Sequence, residues 1–138
     1  MMCKRIEEYF EKFSDDAEEI DVIFMSYYLP DLSRFHKLKR LICSLNKLRS
    51  LPTLPSTLEI LDCSNNQMTA INLQPVGLLE SLKADFNPLQ NVNLEFVSNL
   101  STLSLQSCQL TGLDLNLVPD LIYLKIFQLV HLILDMLL

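Results

Sequence analysis

A single pattern recurs three times between residues 58 and 120, and this repetition restricts the possible folds more than any other feature of the chain. Within each copy, small or apolar residues occupy places one, four, six and eleven, while place nine carries asparagine or cysteine. Successive copies begin twenty-one residues apart, at Leu58, Leu79 and Leu100. A fixed period of this length is typical of solenoids, in which similar units stack along one axis.

The spacing within each copy predicts one short strand. Places four and six point inward, while places three, five and seven point outward, because side chains alternate along a strand. One unit cannot bury its apolar side alone, so parallel units bury it against each other. The side chain at place nine is predicted to bond backbone groups that the following turn leaves unpaired. These places hold Leu61, Cys63 and Asn66; Leu82, Ala84 and Asn87; and Leu103, Leu105 and Cys108.

Further units flank these three copies. The unit from Leu38 to Thr57 fits fully, and a shorter first unit from Ile20 to Lys37 is predicted to place Ile20, Ile23 and Met25 inward. A last unit begins at Leu121. The return segments that follow place eleven alternate apolar residues with period two, which predicts extended or turn-like chain and no helix there. Their apolar pairs are Ile71 and Leu73, Val92 and Leu94, and Leu113 and Leu115.

The whole spacing, L-x-x-L-x-L-x-x-N/C-x-L, resembles that of leucine-rich repeats. The segments 67–73 and 109–115 are similar to the short 21-residue class called IRREKO, whose pattern continues as L-x-x-L-D-L. The resemblance covers roughly residues 20 to 126. It implies an α/β repeat solenoid of horseshoe shape, with a parallel sheet on the concave face and a largely non-helical convex side. It also implies protein interaction, in a class found across bacteria, protists and large viruses.

The N-terminal segment is predicted to form a helix from residue 2 to residue 20, because apolar residues recur there at three- and four-residue steps. Such a helix would cap the open edge of the first strand. Asp15 and Glu18 have capping-box spacing, so a break near Ser14 followed by a restart is the alternative. A basic cluster is expected to seat this acidic segment on the repeats, or else to bind phosphate or acidic ligands. The cluster comprises Arg34, Lys37, Lys39, Arg40, Lys47 and Arg49.

Length and composition are those of one globular domain over residues 1 to 138. We divide it into a capping helix at 1–19, about six repeats at 20–126, and an apolar C-terminal cap or dimerisation segment at 127–138. The formal charge of −6 argues against nucleic acid as a partner. A charged start and an interrupted apolar end predict neither signal peptide nor membrane span. We therefore expect a cytoplasmic protein, in the host cytoplasm if a pathogen or virus is the source.

The outward strand places predict a partner-binding concave face. Asp62, Lys83 and Asp85 form a mixed-charge centre, with apolar side chains at both ends of the face. Curved solenoids bind partners on such faces, although a generic solvated sheet has the same pattern. The candidate residues are Arg40, Ile42, Ile60, Asp62, Lys83, Asp85, Thr102, Ser104, Gln106, Tyr123, Lys125 and Phe127.

The C-terminal segment carries more apolar surface than one solenoid end needs. Two interpretations stand together: the segment caps its own solenoid, or it forms a homodimer interface. The candidate self-association residues are Ile126, Leu129, Val130, Ile133 and Leu137.

The sequence predicts no enzyme. His36 and His131 fall at opposite ends of the stack, and no cysteine or histidine spacing suits a metal. With two glycines in the chain there is no phosphate-binding loop, so we assign no catalytic, cofactor-binding or metal-binding residue. Three cysteines occupy repeat places and are predicted to be buried, reduced thiols: Cys43, Cys63 and Cys108. As strand neighbours about 4.8 Å apart, Cys43 and Cys63 could also be joined by oxidation.

Overall fold

The computed structural model describes residues 2–22 and 26–126, with side chains from residue 5 onward. Helix α1 (Met2–Phe10) precedes six parallel three-residue strands, whose order in the sheet follows their order in the chain. The chain is therefore a solenoid of about five turns, which confirms the predicted fold class. The strands are β1 (Glu19–Asp21), β2 (Arg40–Ile42), β3 (Ile60–Asp62), β4 (Ser81–Lys83), β5 (Thr102–Ser104) and β6 (Tyr123–Lys125).

The strand register follows the repeat places. Leu41, Leu61, Leu82 and Leu103 stand at the centres of successive strands, and each is fully buried. Place six is equally buried in these units, so the inward alternation is as predicted. Each leucine buried in this way contributes about 1.5 to 3 kcal/mol relative to leaving it exposed. The core is thus a column of stacked apolar side chains along the solenoid axis.

The predicted register of the first unit is wrong by three residues. Ile20 pairs with Leu41, which puts Ile20 at place four, and the Val22 N–H donates to the Ile42 carbonyl at 2.7 Å, as place six should. Ile23 and Met25 lie outside the described residues. Spacing misled the prediction because Ile20, Ile23 and Met25 reproduce places one, four and six. The pairing of β1 with β2 decides the register instead.

Helix α1 ends at Phe10, well before residue 20. The chain then makes single turns, with the Phe13 N–H bonded to the Phe10 carbonyl at 3.1 Å and the Ala17 N–H to the Ser14 carbonyl at 2.9 Å. A break near Ser14 therefore occurs, but β1 follows it instead of a second helix. Strand pairing outweighs helix propensity because β1 gains hydrogen bonds along a whole edge of β2.

The return segments consist of consecutive turns, as the period-two pattern predicted. The Val76 N–H bonds to the Leu73 carbonyl at 3.1 Å, and the next two units repeat this bond. Asn72, Asn93 and Asp114 each accept a hydrogen bond from the N–H two residues ahead at 3.0 Å, which is an Asx turn. A three-residue 3₁₀ turn, Leu115–Leu117, follows the last of these.

Three buried asparagines, Asn46, Asn66 and Asn87, form an asparagine ladder at place nine. Each amide group donates to the place-six and place-seven carbonyls of its own unit and to the place-six carbonyl of the preceding unit. The amide oxygens of Asn66 and Asn87 accept the N–H of the place-eleven residue one unit back at 3.0 Å, and the amide oxygen of Asn46 accepts the Ser26 N–H at 2.8 Å. The structure therefore confirms that the place-nine side chain bonds backbone groups that the turn leaves unpaired.

The acidic N-terminal segment pairs with the basic cluster of the repeats. Asp16 lies 3.1 Å from the Lys37 ammonium, and this bond lowers the pKa of Asp16. Arg34 bonds Asp15 and also donates to the Phe10 carbonyl at 2.6 Å and the Phe13 carbonyl at 3.3 Å. Arg34 thus closes the end of α1 and joins it to the first unit. Such exposed ion pairs contribute little individually, so Arg34 is the principal polar link.

Candidate protein-interaction surface

The outward side chains at places three, five and seven form one surface, which we call the sheet face. The strand register aligns Arg40, Ile60, Ser81, Thr102 and Tyr123 in one column and Ile42, Asp62, Lys83, Ser104 and Lys125 in the next. The structure thus brings together the candidate residues of the sequence except Phe127, which lies outside the described residues. Among them, Ile60 is 39% and Tyr123 50% exposed, so the sheet face offers apolar as well as charged groups.

A hydrogen-bonded network occupies the centre of the sheet face. The Asp85 carboxylate accepts from the Ser104 hydroxyl at 2.7 Å and from the Gln106 N–H at 2.6 Å. The Asp62 carboxylate accepts from the Ser64 N–H at 3.1 Å. Asp85 therefore serves first to join neighbouring strands, which makes it less available to a partner than the sequence suggested.

Lys83 is the accessible charge at this centre. It stands beside Asp62 across the β3–β4 pair, yet it forms no ion pair within the part of the chain that the structure describes. Its ammonium group is exposed, so binding an anionic group would carry a small desolvation cost. Lys83 and the half-buried Asp62 are therefore the charged side chains best placed to meet a partner here.

A pocket of about 300 Å³ opens where the N-terminal cap meets the first two strands. It combines aromatic rings from the cap with carboxylates from β1 and an arginine from β2. The sequence predicted only the β2 residues of this pocket as candidates. The predicted helix extended to residue 20, so β1, which carries the two carboxylates, was not expected. Its lining comprises Tyr9, Phe13, Glu19, Ile20, Asp21, Arg40 and Ile42.

Place eight of the four units that begin at Leu38, Leu58, Leu79 and Leu100 has a left-handed backbone, a feature that the sequence did not reveal. Its φ values are 57° at Leu45, 55° at Asn65, 55° at Phe86 and 51° at Ser107. Asparagine adopts this conformation readily, whereas bulky apolar residues rarely do. Leu45 is nevertheless 68% exposed and Phe86 51% exposed, so two large apolar side chains stand at one edge of the sheet face.

The last described strand is more exposed than its predecessors. Leu124 occupies place four of β6 and is 42% exposed, while Ile122 just before the strand is 89% exposed. Ile126 is half-buried against the core. The other predicted self-association residues, Leu129, Val130, Ile133 and Leu137, lie outside the described residues.

The thiols of Cys43, Cys63 and Cys108 are free and buried, as predicted. Burial raises the pKa of Cys43 to about 12 and also raises the pKa of Cys63, so neither is a thiolate near neutral pH.

No group of three His, Cys, Asp or Glu side chains could hold a metal ion within residues 2–22 and 26–126. Over the same ranges, no helix combines the length and apolar character that crossing a membrane requires.

Two solved leucine-rich repeat structures are similar to this one. The functional domain of InlJ from Listeria monocytogenes, which includes a cysteine ladder, matches with a TM-score of 0.72 and 28% identity over 81% of this chain. YopM from Yersinia enterocolitica matches with a TM-score of 0.58 and 24% identity over 91% of this chain. The chain spans 25% and 32% of those two proteins' chains, respectively. No protein-family model and no curated protein matches the sequence.

Proposed function

We propose that this chain is a protein-interaction scaffold whose sheet face binds a partner protein. The observation that carries the proposal is the sheet face itself, where the exposed Ile60 and Tyr123 flank a central Lys83 that forms no ion pair among the described residues. Solenoids of stacked repeats commonly use such continuous surfaces for recognition, and the leucine-rich repeat neighbours agree with a scaffold role. The buried, protonated thiols agree with a binding role and offer no nucleophile.

Two charge reversals on the sheet face, Asp62→Lys and Lys83→Glu, test the proposal against one control reversal elsewhere. Asp62→Lys changes the sheet face, and Glu95→Lys makes the same change in charge at an exposed position of a return segment. A partner isolated with the wild-type chain should bind the Asp62→Lys and Lys83→Glu variants at least about tenfold more weakly, as expected for charges near the centre of an interface. Glu95→Lys should leave the affinity unchanged. Equal affinity of all these variants would contradict binding at the sheet face.

Self-association is the second function that a specific observation favours. Leu124 is 42% exposed at a place that is fully buried in β2 to β5, and Ile122 beside it is 89% exposed. A second copy could cover this end of the solenoid in a two-fold homodimer. Light scattering over a concentration series should then show a dimer that Ile122→Asp dissociates into folded monomers. A wild-type chain that stays monomeric well above micromolar concentration would exclude the homodimer.

We also propose that the repeats belong to the 21-residue IRREKO class and that the protein is cytoplasmic. Turn-rich return segments with an Asx turn before the second apolar residue support the class. Free, buried thiols fit a reducing compartment. Fractionation of the source cells, followed by thiol labelling of the unfolded chain, would test the location. Recovery outside the cytoplasm would refute it.

A further inference from the structure

The pocket beside the N-terminal cap has a specific arrangement of charge. The Arg40 guanidinium lies 4.0 Å from the Glu19 carboxylate, so these two groups offset each other. The Asp21 carboxylate makes no ion pair or hydrogen bond within the part of the chain that the structure describes. The residue beside Asp21 on β2 is the apolar Ile42. Among the described side chains that line the pocket, one negative charge therefore remains without an ion pair.

The aromatic wall of the pocket is held in place by the fold. The Tyr9 hydroxyl donates to the Asp21 carbonyl at 2.5 Å, and the Tyr9 and Phe13 rings meet edge to face with their centroids 5.4 Å apart. Both rings are half-buried. A ligand would thus find two fixed ring surfaces next to an unpaired carboxylate, with little ordering required on binding.

A carboxylate beside aromatic and aliphatic surfaces recognises a long side chain with a cationic end. The ring quadrupole attracts a cation, while the carbon stem packs on apolar groups such as Ile42. A guanidinium suits this site better than an ammonium, because it is planar, stacks on rings, bonds carboxylates in a bidentate manner and is less strongly hydrated. The chain itself provides an example, since the Arg34 guanidinium lies 4.3 Å from the centroid of the Phe35 ring.

The surroundings also favour a basic ligand. The exposed face of α1 carries Glu7 and Glu8, with Glu11 just beyond its end, and the chain has a formal charge of −6. A negative field of this kind raises the local concentration of a cationic partner. Lys12 is the nearby competitor, because its ammonium lies 5.9 Å from the centroid of the Tyr9 ring.

We propose that the pocket formed by Tyr9, Phe13 and Asp21 binds an arginine side chain from a basic segment of the partner protein. The inference rests on the proposed binding at the sheet face and adds the chemistry of the partner at the N-terminal end of that face. An arginine there would anchor the segment in the pocket, and the rest of the segment would continue across β2 and β3 toward Asp62.

The test uses Nα-acetyl-arginine amide as the probe and amide-detected NMR of the full chain as the readout. The probe should cause saturable shifts centred on residues 9 to 13 and 19 to 21. Asp21→Asn should weaken binding about fivefold, the effect of losing roughly 1 kcal/mol from a partly exposed charge pair. The matched control is Glu95→Gln, which removes a carboxylate from an exposed position of a return segment, outside both the pocket and the sheet face, and should leave the affinity unchanged. Both substitutions preserve side-chain shape, and thermal unfolding would verify that the variants are folded.

Three results would overturn the proposal: absence of saturable shifts, equal affinity in the Asp21→Asn variant, or equal shifts from Nα-acetyl-norleucine amide. Tighter binding of Nα-acetyl-lysine amide would overturn the choice of arginine. Failure of the pocket differs visibly from failure of the wider proposal. A partner that still depends on Asp62 and Lys83, while arginine amide does not bind, would retain the sheet face and remove only the pocket.

Discussion

Replacing Asn66 by alanine should reveal how much stability the asparagine ladder provides. The Asn66 amide donates to the carbonyls of Cys43 at 2.9 Å, Cys63 at 3.0 Å and Ser64 at 3.2 Å, and its oxygen accepts the Leu48 N–H at 3.0 Å. All of these groups lie in or beside the core. Truncation to alanine removes every one of these bonds at once.

The three carbonyls keep a second partner after the truncation. Cys43 still accepts from Asn46, Cys63 still accepts from Asn87, and Ser64 still accepts from the Leu45 N–H. Each carbonyl that the Asn66 amide serves therefore keeps a hydrogen bond. Losing the bonds of the two amide N–H groups lowers the free energy of unfolding by about 2 kcal/mol.

The Leu48 N–H, by contrast, is left with no acceptor among the described residues. An unsatisfied buried donor costs about 1 to 3 kcal/mol, so the total destabilisation should be about 3 to 5 kcal/mol. This is a large part of the roughly 5 to 15 kcal/mol that stabilises a domain of this kind.

Urea unfolding monitored by circular dichroism would measure the change. The control is Asn116→Ala, since Asn116 is exposed and its side chain makes no hydrogen bond within the described residues, so the expected change is within about 0.5 kcal/mol. A loss of less than about 1 kcal/mol for Asn66→Ala would refute the reasoning. It would mean that the Leu48 N–H finds another acceptor, as the Leu89 N–H does by bonding the Asn87 carbonyl at 2.8 Å.

Three other changes test the same account. Cys108→Asn should extend the ladder by one unit and stabilise the chain by about 1 kcal/mol in urea unfolding, because the new amide could donate to the Ala84 and Gln106 carbonyls, which the weak thiol donor of Cys108 now contacts at 3.4 and 3.7 Å. A loss of stability would contradict this. Phe86→Asn should raise stability by roughly 1 kcal/mol by relieving a bulky residue of its left-handed backbone, and an unchanged or lower unfolding midpoint would count against the strain. Cys43 and Cys63 should not react with Ellman's reagent at pH 8 in the folded chain, because burial raises both pKa values, but should react fully after unfolding. Rapid labelling of either thiol in the folded chain, located by mass spectrometry, would show that the core opens easily.

The repeat places could be predicted because they depend on one local rule applied many times. A leucine at place four and an asparagine at place nine have the same surroundings in every unit, since each unit stacks on a near copy of itself. The pattern therefore predicted the buried column through Leu41, Leu61, Leu82 and Leu103 together with its parallel register. It also predicted which side chains share the sheet face.

The N-terminal end could not be predicted in this way, because no preceding copy exists there. Residues 11 to 20 have helical periodicity, but the Glu18 carbonyl accepts the N–H groups of Lys39 and Arg40 at 2.8 and 3.0 Å, which draws the segment into the sheet. Those bonds join residues about twenty positions apart and leave no local signal. The pocket was missed for the same reason, since it exists only after β1 has formed beneath the cap.

The conformation at place eight follows from the ladder once both are considered together. Along a regular strand, place nine would point outward with places five and seven, because side chains alternate. The asparagine must point inward, so the chain has to reverse this alternation at place eight, and a left-handed residue does so. The N–H of Leu45 still bonds the next unit at 3.0 Å and that of Phe86 at 2.7 Å, which keeps the backbone fixed whatever side chain it carries. The ladder thus allows place eight to hold exposed apolar groups such as Leu45 and Phe86, where a partner at the sheet face could use them.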